Sequence, residues 1–156
     1  MIYKKCDASD IEISTQAFSD LFISVYNMNF PDRRFDCAFG HERVKDIIGY
    51  VNDNTATIYG AFDGDKLAGF IWGYKRQIND ELRIHVPVLV VSEQHQRKGI
   101  ARQLMELMKS YASDCGINII EVMVTSSNED AIKYYDNVGF KEARKLLELR
   151  IENDDN

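Results

Sequence analysis

The sequence predicts an α/β fold in which one mixed β-sheet is flanked by helices. Three observations lead to this. From residue 55 the pattern changes to strand, with extended runs at 57–62 and 67–74 and a third at 82–91 that ends in the β-branched run Val88-Leu89-Val90-Val91. An amphipathic stretch at 99–115 lies between two apolar, β-branched runs, 82–91 and 117–124, which makes a βαβ unit with parallel strands and a right-handed crossover. Before residue 55 the apolar positions instead recur at helical spacing.

Taken in order, residues 2–6 read as a first strand. Ser14 is placed to cap a helix whose Ala17, Phe18, Leu21, Phe22 and Val25 form one face, and which must stop before Pro31. Residues 27–36 read as a loop, and a second helix turns Val44, Ile47 and Ile48 inward. Asp63-Gly64-Asp65 supplies turn chemistry for a hairpin joining 57–62 to 67–74. Pro87 predicts a bulge or a break in pairing within 82–91, because proline cannot donate to a ladder. The helix at 99–115 carries Ile100, Leu104, Leu107, Met108 and Tyr111 inward and ends at Gly116. A buried strand at 117–124, a short helix at 128–137 and one or two closing strands within 140–151 complete the reading.

The chain has 156 residues, 45% of them hydrophobic, enough for one substantial core. One domain is expected over 1–151, with a disordered acidic tail at 152–156. No apolar run approaches the roughly 18 to 20 residues of a membrane span, and the N-terminus lacks a secretory pattern, so a cytoplasmic location without membrane association is expected. Cys6, Cys37 and Cys115 have neither disulfide nor zinc-ligand spacing, and no metal is expected. A net charge of -6 argues against nucleic acid as a partner. It is compatible with a cationic, amine-bearing one.

Gln96, Arg97, Lys98, Gly99, Ile100 and Ala101 join a strand end to a helix start. A helix N-terminus offers unpaired N–H groups, Gly99 and Ala101 keep side chains clear, and two cations stand beside them. This is chemistry for a pyrophosphate. The segment contains neither GxxxxGK[ST] nor GxGxxG.

The loop resembles the Q/R-x-x-G-x-G/A signature of the GNAT superfamily of acyl-CoA-dependent N-acetyltransferases, with Gln96, Gly99 and Ala101 at the defining positions. Asn128, Ala131, Tyr135, Gly139 and Phe140 match that superfamily's N-x-x-A-x-x-x-Y-x-x-x-G-F pattern downstream. The resemblance covers about residues 82–140 and says little about 1–54, where such proteins diverge. It implies acetyl-CoA as co-substrate, with Leu89, Val90 and Val91 on a strand splayed from 117–124 so that backbone groups bond pantetheine. The pyrophosphate would lie on the loop at 96–101, and Asn128 belongs to the same cofactor-binding set. A primary amine of a small molecule, or of a peptide or protein, would attack directly in a ternary complex, in a monomer or homodimer.

Aminolysis of a thioester needs a neutral amine and a leaving thiolate. At pH 7 an amine of pKa about 10.4 costs about 4.6 kcal/mol to deprotonate, an α-amine near 7.8 only about 1.1 kcal/mol. By resemblance Tyr135 lies at the leaving sulfur, either as the acid or as a hydrogen-bonding, positioning group. His85 and Glu81 are the candidate bases. Related enzymes carry a base at the place of His85, 14 residues before Gly99, and Glu81 shares its strand parity if no bulge intervenes. Glu121 ranks below them, because relatives with a strand glutamate as base carry it where this chain has Met123. Asn27, Met28, Asn29, Phe30, Asp32, Arg33 and Arg34 read either as the lining of the acceptor entrance or as a surface connection. A catalytically silent acyl-CoA-binding module or sensor, and a nucleotide-phosphate binder with a similar loop, are the competing readings.

Overall fold

A computed structural model of the chain describes residues 1–152, and the predicted tail lies outside the described residues except for exposed Glu152. The elements run β1 (Ile2–Lys5), α1 (Ala8–Ile13), α2 (Thr15–Asn29), α3 (Cys37–Asn52), β2 (Thr57–Asp63), β3 (Lys66–Ile78), β4 (Glu81–Val91), α4 (Ile100–Asp114), β5 (Ile120–Val122) and α5 (Glu129–Asn137). A single 3-10 turn, Glu93–His95, precedes the loop to α4. The sheet order is β1-β2-β3-β4-β5, antiparallel except for the parallel pair β4–β5 that flanks α4. The predicted mixed sheet and βαβ unit are therefore present.

Helices cover both faces of the sheet. On one, Phe18, Phe22 and Val25 of α2 and Val44 and Ile47 of α3 pack on Ile58, Phe70, Val88 and Val90. On the other, Ile100, Leu104, Met105, Met108 and Ala112 of α4 pack on Ala61, Ile71, Ile84 and Val86. Leu107 and Tyr111 are only half-buried, so the inner stripe of α4 is rotated slightly from the predicted one.

Four expectations change. The helix α1 was not predicted; Asp7 caps it, accepting from the Asp10 N–H while the Asp10 carboxylate accepts from the Asp7 N–H, a capping box legible only as Asp-x-x-Asp. The helix α2 continues through Asn29, so the loop begins at Phe30. The strand predicted at 117–124 is confined to Ile120–Val122 and is half-buried, and residues 140–151 form no strand. A strand needs a partner edge and a face to bury. The short β5 offers little of either, and Leu146, Leu147, Leu149 and Ile151 remain exposed.

Gly40 lies at the approach of α3 to α2. A Cβ there would overlap Ser19 Oγ and lie 3.0 Å from the Ser19 carbonyl oxygen. Alanine normally stabilises a helix interior by about 0.5–1 kcal/mol over glycine. Here overpacking of about 1–3 kcal/mol should win. Gly40→Ala is thus expected to lower the denaturant midpoint, with partial recovery in Gly40→Ala/Ser19→Ala; a more stable single variant would contradict this packing.

Candidate active site

Pro87 shapes the site through strand parity. Across the β3–β4 ladder Trp72 pairs with Val88 and Tyr74 with His85, so Val86 and Pro87 together oppose Gly73. That extra residue switches which face each side chain takes. Ile84 and Val86 point to α4, whereas Val88 and Val90 point to α2. His85, odd in number, therefore shares the α2 side with Trp72, Tyr74 and Val88. The predicted bulge is present, and it sets the side on which His85 stands.

The β4–β5 pairing runs only from Ile84↔Ile120 to Val86↔Val122, while Leu89, Val90 and Val91 pair with β3 alone. Their edge toward β5 is open, the predicted splay of the parallel pair. Beyond it, the loop from Gln96 to Ala101 turns into α4. Gln96 Nε2 donates to the Val91 carbonyl at 3.3 Å, which ties the loop to the strand end. Arg97 and Gly99 both have positive φ, +63° and +79°. Gly99 is the N-cap of α4 and has open space where a Cβ would lie; Arg97 and Lys98 are exposed beside it. The first intrahelical donor is Gln103 N–H to the Gly99 carbonyl, at 3.1 Å, so the preceding amides at the helix start are free to meet an anion. These residues fit a pyrophosphate. His95 steadies the loop from behind: its Nδ1 is 2.7 Å from Ser92 Oγ and its Nε2 is 3.1 Å from Asp63 Oδ2.

His85 is 7% exposed. Its ring centroid lies 5.3 Å from that of Tyr74, which adjoins Trp72 and, through it, Tyr50. Parallel register sets Glu121 directly beside it, with Oε2 3.6 Å from His85 Nδ1. Burial pushes the imidazole pKa below the ordinary 6.5; Glu121 opposes that shift and Arg76 adds to it. The ring is neutral at pH 7. Glu81 keeps the parity of His85, since pairing is regular between them, but stands four residues out along the strand and is ion-paired with Arg83. At about 3.3 Å per residue that is roughly 13 Å away. Of the two predicted bases, only His85 is both buried and free of a strong partner.

Tyr135, on α5, packs its ring against Phe140 and Tyr134 at centroid distances of 5.2 and 5.4 Å. Burial pushes its pKa up to about 12. Asn128 caps α5: its Oδ1 accepts from the Ala131 N–H at 3.3 Å and its Nδ2 donates to Asn29 Oδ1 at 3.1 Å. Its side chain is thus engaged in holding α5 to the end of α2, and Thr125 Oγ1 donates to the Asn29 carbonyl beside it. These bonds bring the loop after α2 next to the exit of β5. The Asn29 contacts that fasten this loop carry no signal in sequence spacing.

The chain matches the sequence profile of the acetyltransferase (GNAT) family over residues 17–140. It belongs to that family. It is 34% identical over 109 residues to an N-alpha-acetyltransferase of Saccharolobus solfataricus, covering 64% of this chain and 65% of that protein. It is 26% identical over 81 residues to the N-terminal acetyltransferase B complex catalytic subunit naa20 of Schizosaccharomyces pombe, covering 52% of this chain and 45% of that one. The chain therefore spans less than two thirds of the length of these curated relatives. Among solved structures, the fold is shared with a mutant of the BH1408 protein from Bacillus halodurans (TM-score 0.82, 18% identity, 97% of this chain and 100% of that one). It is also shared with a predicted acetyltransferase from Clostridium acetobutylicum solved with acetyl-CoA (TM-score 0.74, 13% identity, 96% and 95%). Among the described residues of this GNAT chain no helix is long and apolar enough to cross a membrane, and no group of three or more His, Cys, Asp or Glu side chains is arranged to hold a metal.

Proposed function

We propose that this GNAT chain transfers an acetyl group from acetyl-CoA to the α-amine of a peptide or protein N-terminus, by direct attack while both substrates are bound. The observation that carries the choice of acceptor is the 34% identity to the N-alpha-acetyltransferase of Saccharolobus solfataricus. The chemistry of the site agrees with it. An α-amine near pKa 7.8 needs only a mild base, and a neutral, buried imidazole is one.

In this reading the open edge at Leu89, Val90 and Val91 bonds the pantetheine arm, and the loop from Gln96 to Ala101 receives the pyrophosphate. The amine nitrogen attacks the thioester carbon, forming a C–N bond, and passes its proton to the His85 imidazole. The C–S bond then breaks with its electron pair on sulfur, and His85 returns its proton to solvent.

Tyr135 stands at the leaving sulfur as a hydrogen-bond donor. With its pKa at about 12, full proton transfer to a thiolate of pKa near 8.5 would be uphill by about 5 kcal/mol. A hydrogen bond to the developing charge needs no transfer and is worth about 1.5–3 kcal/mol. Tyr135→Phe is expected to lower kcat roughly 10-fold or more at unchanged acetyl-CoA affinity; wild-type turnover with chemistry rate-limiting would remove Tyr135 from the step.

The acceptor is tested by comparing kcat/KM for a peptide with a free α-amine, the same peptide blocked at its N-terminus but carrying lysine, a polyamine and an aminoglycoside. The free α-amine should be the best substrate. Preference for the polyamine or aminoglycoside would overturn the assignment.

A further inference from the structure

We infer that Glu121 is the positioning residue of His85, holding the imidazole through Nδ1 so that Nε2 is the nitrogen left to take the acceptor's proton. This rests on the reading of His85 as base. The geometry begins with the sheet: His85 and Glu121 are register partners on adjacent parallel strands, so their side chains emerge side by side on one face.

The polar atoms around them converge. Glu121 Oε2 lies 3.6 Å from His85 Nδ1 and 3.9 Å from Arg76 Nη1, and Oε1 lies 3.9 Å from Arg83 Nε. His85 Nδ1, Glu121 Oε1 and Arg83 Nε are each buried without a hydrogen-bond partner. Buried polar groups are normally paired, and three such atoms within one cluster form a network just short of closure. A movement of about 0.5 Å brings Nδ1 and Oε2 within N–H···O range. Apo sites commonly hold such bonds long and tighten them when substrate arrives.

The charges assign the roles. Two guanidiniums flank the Glu121 carboxylate, so its lone pairs face cations and it is poorly suited to accept the substrate's proton itself. As an acceptor from Nδ1–H it fixes the tautomer and stabilises the imidazolium formed during the step. The charged and titratable groups around His85 are Tyr74 and Arg76 from β3, Arg83 from its own strand, and Glu121 from β5. On the helix side, the buried residues of α2 are Phe18, Ser19, Leu21, Phe22 and Val25, none of them titratable, and its one carboxylate, Asp20, is exposed.

The test combines the His85 imidazole titration, followed by NMR, with a double-mutant cycle. In Glu121→Gln, a near-isosteric change, the His85 pKa should fall, because a charge that favours imidazolium is gone; in Arg76→Gln it should rise. Glu121→Gln should lower kcat/KM roughly 10- to 100-fold at pH 7 with acetyl-CoA affinity unchanged, and His85→Gln/Glu121→Gln should be no slower than His85→Gln alone. An unmoved His85 titration in Glu121→Gln, or losses that multiply in the double variant, would overturn the positioning role. Retained activity in His85→Gln would instead overturn the base assignment, an outcome distinct from a failed titration shift.

Discussion

His85→Gln is expected to lower kcat/KM about 100-fold or more at pH 7, the usual contribution of a positioned general base. The sign of the pH dependence follows from burial. The folded pKa of His85 is depressed below 6.5, so the neutral, proton-accepting form is already present at pH 7 and is lost only as the pH falls through that lower value. In wild type the acid limb governed by His85 should therefore lie below pH 6.5. The variant should lose that limb. Its deficit should shrink as the pH rises past about 7.8, where an α-amine deprotonates in solution without help. A wild-type pH profile in the folded variant would return His85 to a packing role beside Tyr74.

Gly99→Glu should abolish measurable acetyl-CoA binding, a loss of roughly 100-fold or more, without unfolding the protein. Two effects combine. A side chain at φ +79° costs about 1–2 kcal/mol of backbone strain. More decisively, a carboxylate would stand among the free amides at the start of α4, where a pyrophosphate needs positive potential. Gly99→Ala separates the two effects: nothing lies within 4 Å of the added Cβ, so it brings strain without charge and should bind within about tenfold of wild type. Calorimetric titration with acetyl-CoA, paired with thermal unfolding, reads both. Equal affinity in folded Gly99→Glu would move the pyrophosphate elsewhere.

Much of this site was legible in the residues because its parts are local. The glycine-bearing entry to α4, the hairpin turn at Asp63-Gly64-Asp65 and the bulge at Pro87 each follow from the backbone needs of one short segment. What the bulge does was not legible. That His85 shares a face with Val88 depends on which β3 residues lie opposite, and Trp72 and Tyr74 supply that information only in the folded ladder. Glu121 was ranked low because motif spacing favoured the position of Met123. Register between parallel strands joined through a whole helix is not encoded in spacing, yet it is what sets Glu121 against His85. Asn128 matches its motif, but sequence could not show that its amide bridges α5 to Asn29. The alternation at Leu147, Leu149 and Ile151 reads as a strand, and in the fold it finds no edge to pair with.

Direct acetyl transfer in a ternary complex sets when thiol is released, and rapid mixing resolves that. With acetyl-CoA alone, no burst of free thiol should appear. Adding a peptide with a free α-amine should then release one thiol for each acetylated peptide found by mass spectrometry. A stoichiometric thiol burst in the absence of acceptor, leaving the acetyl group on the protein, would establish a covalent acetyl-enzyme and rule out direct transfer.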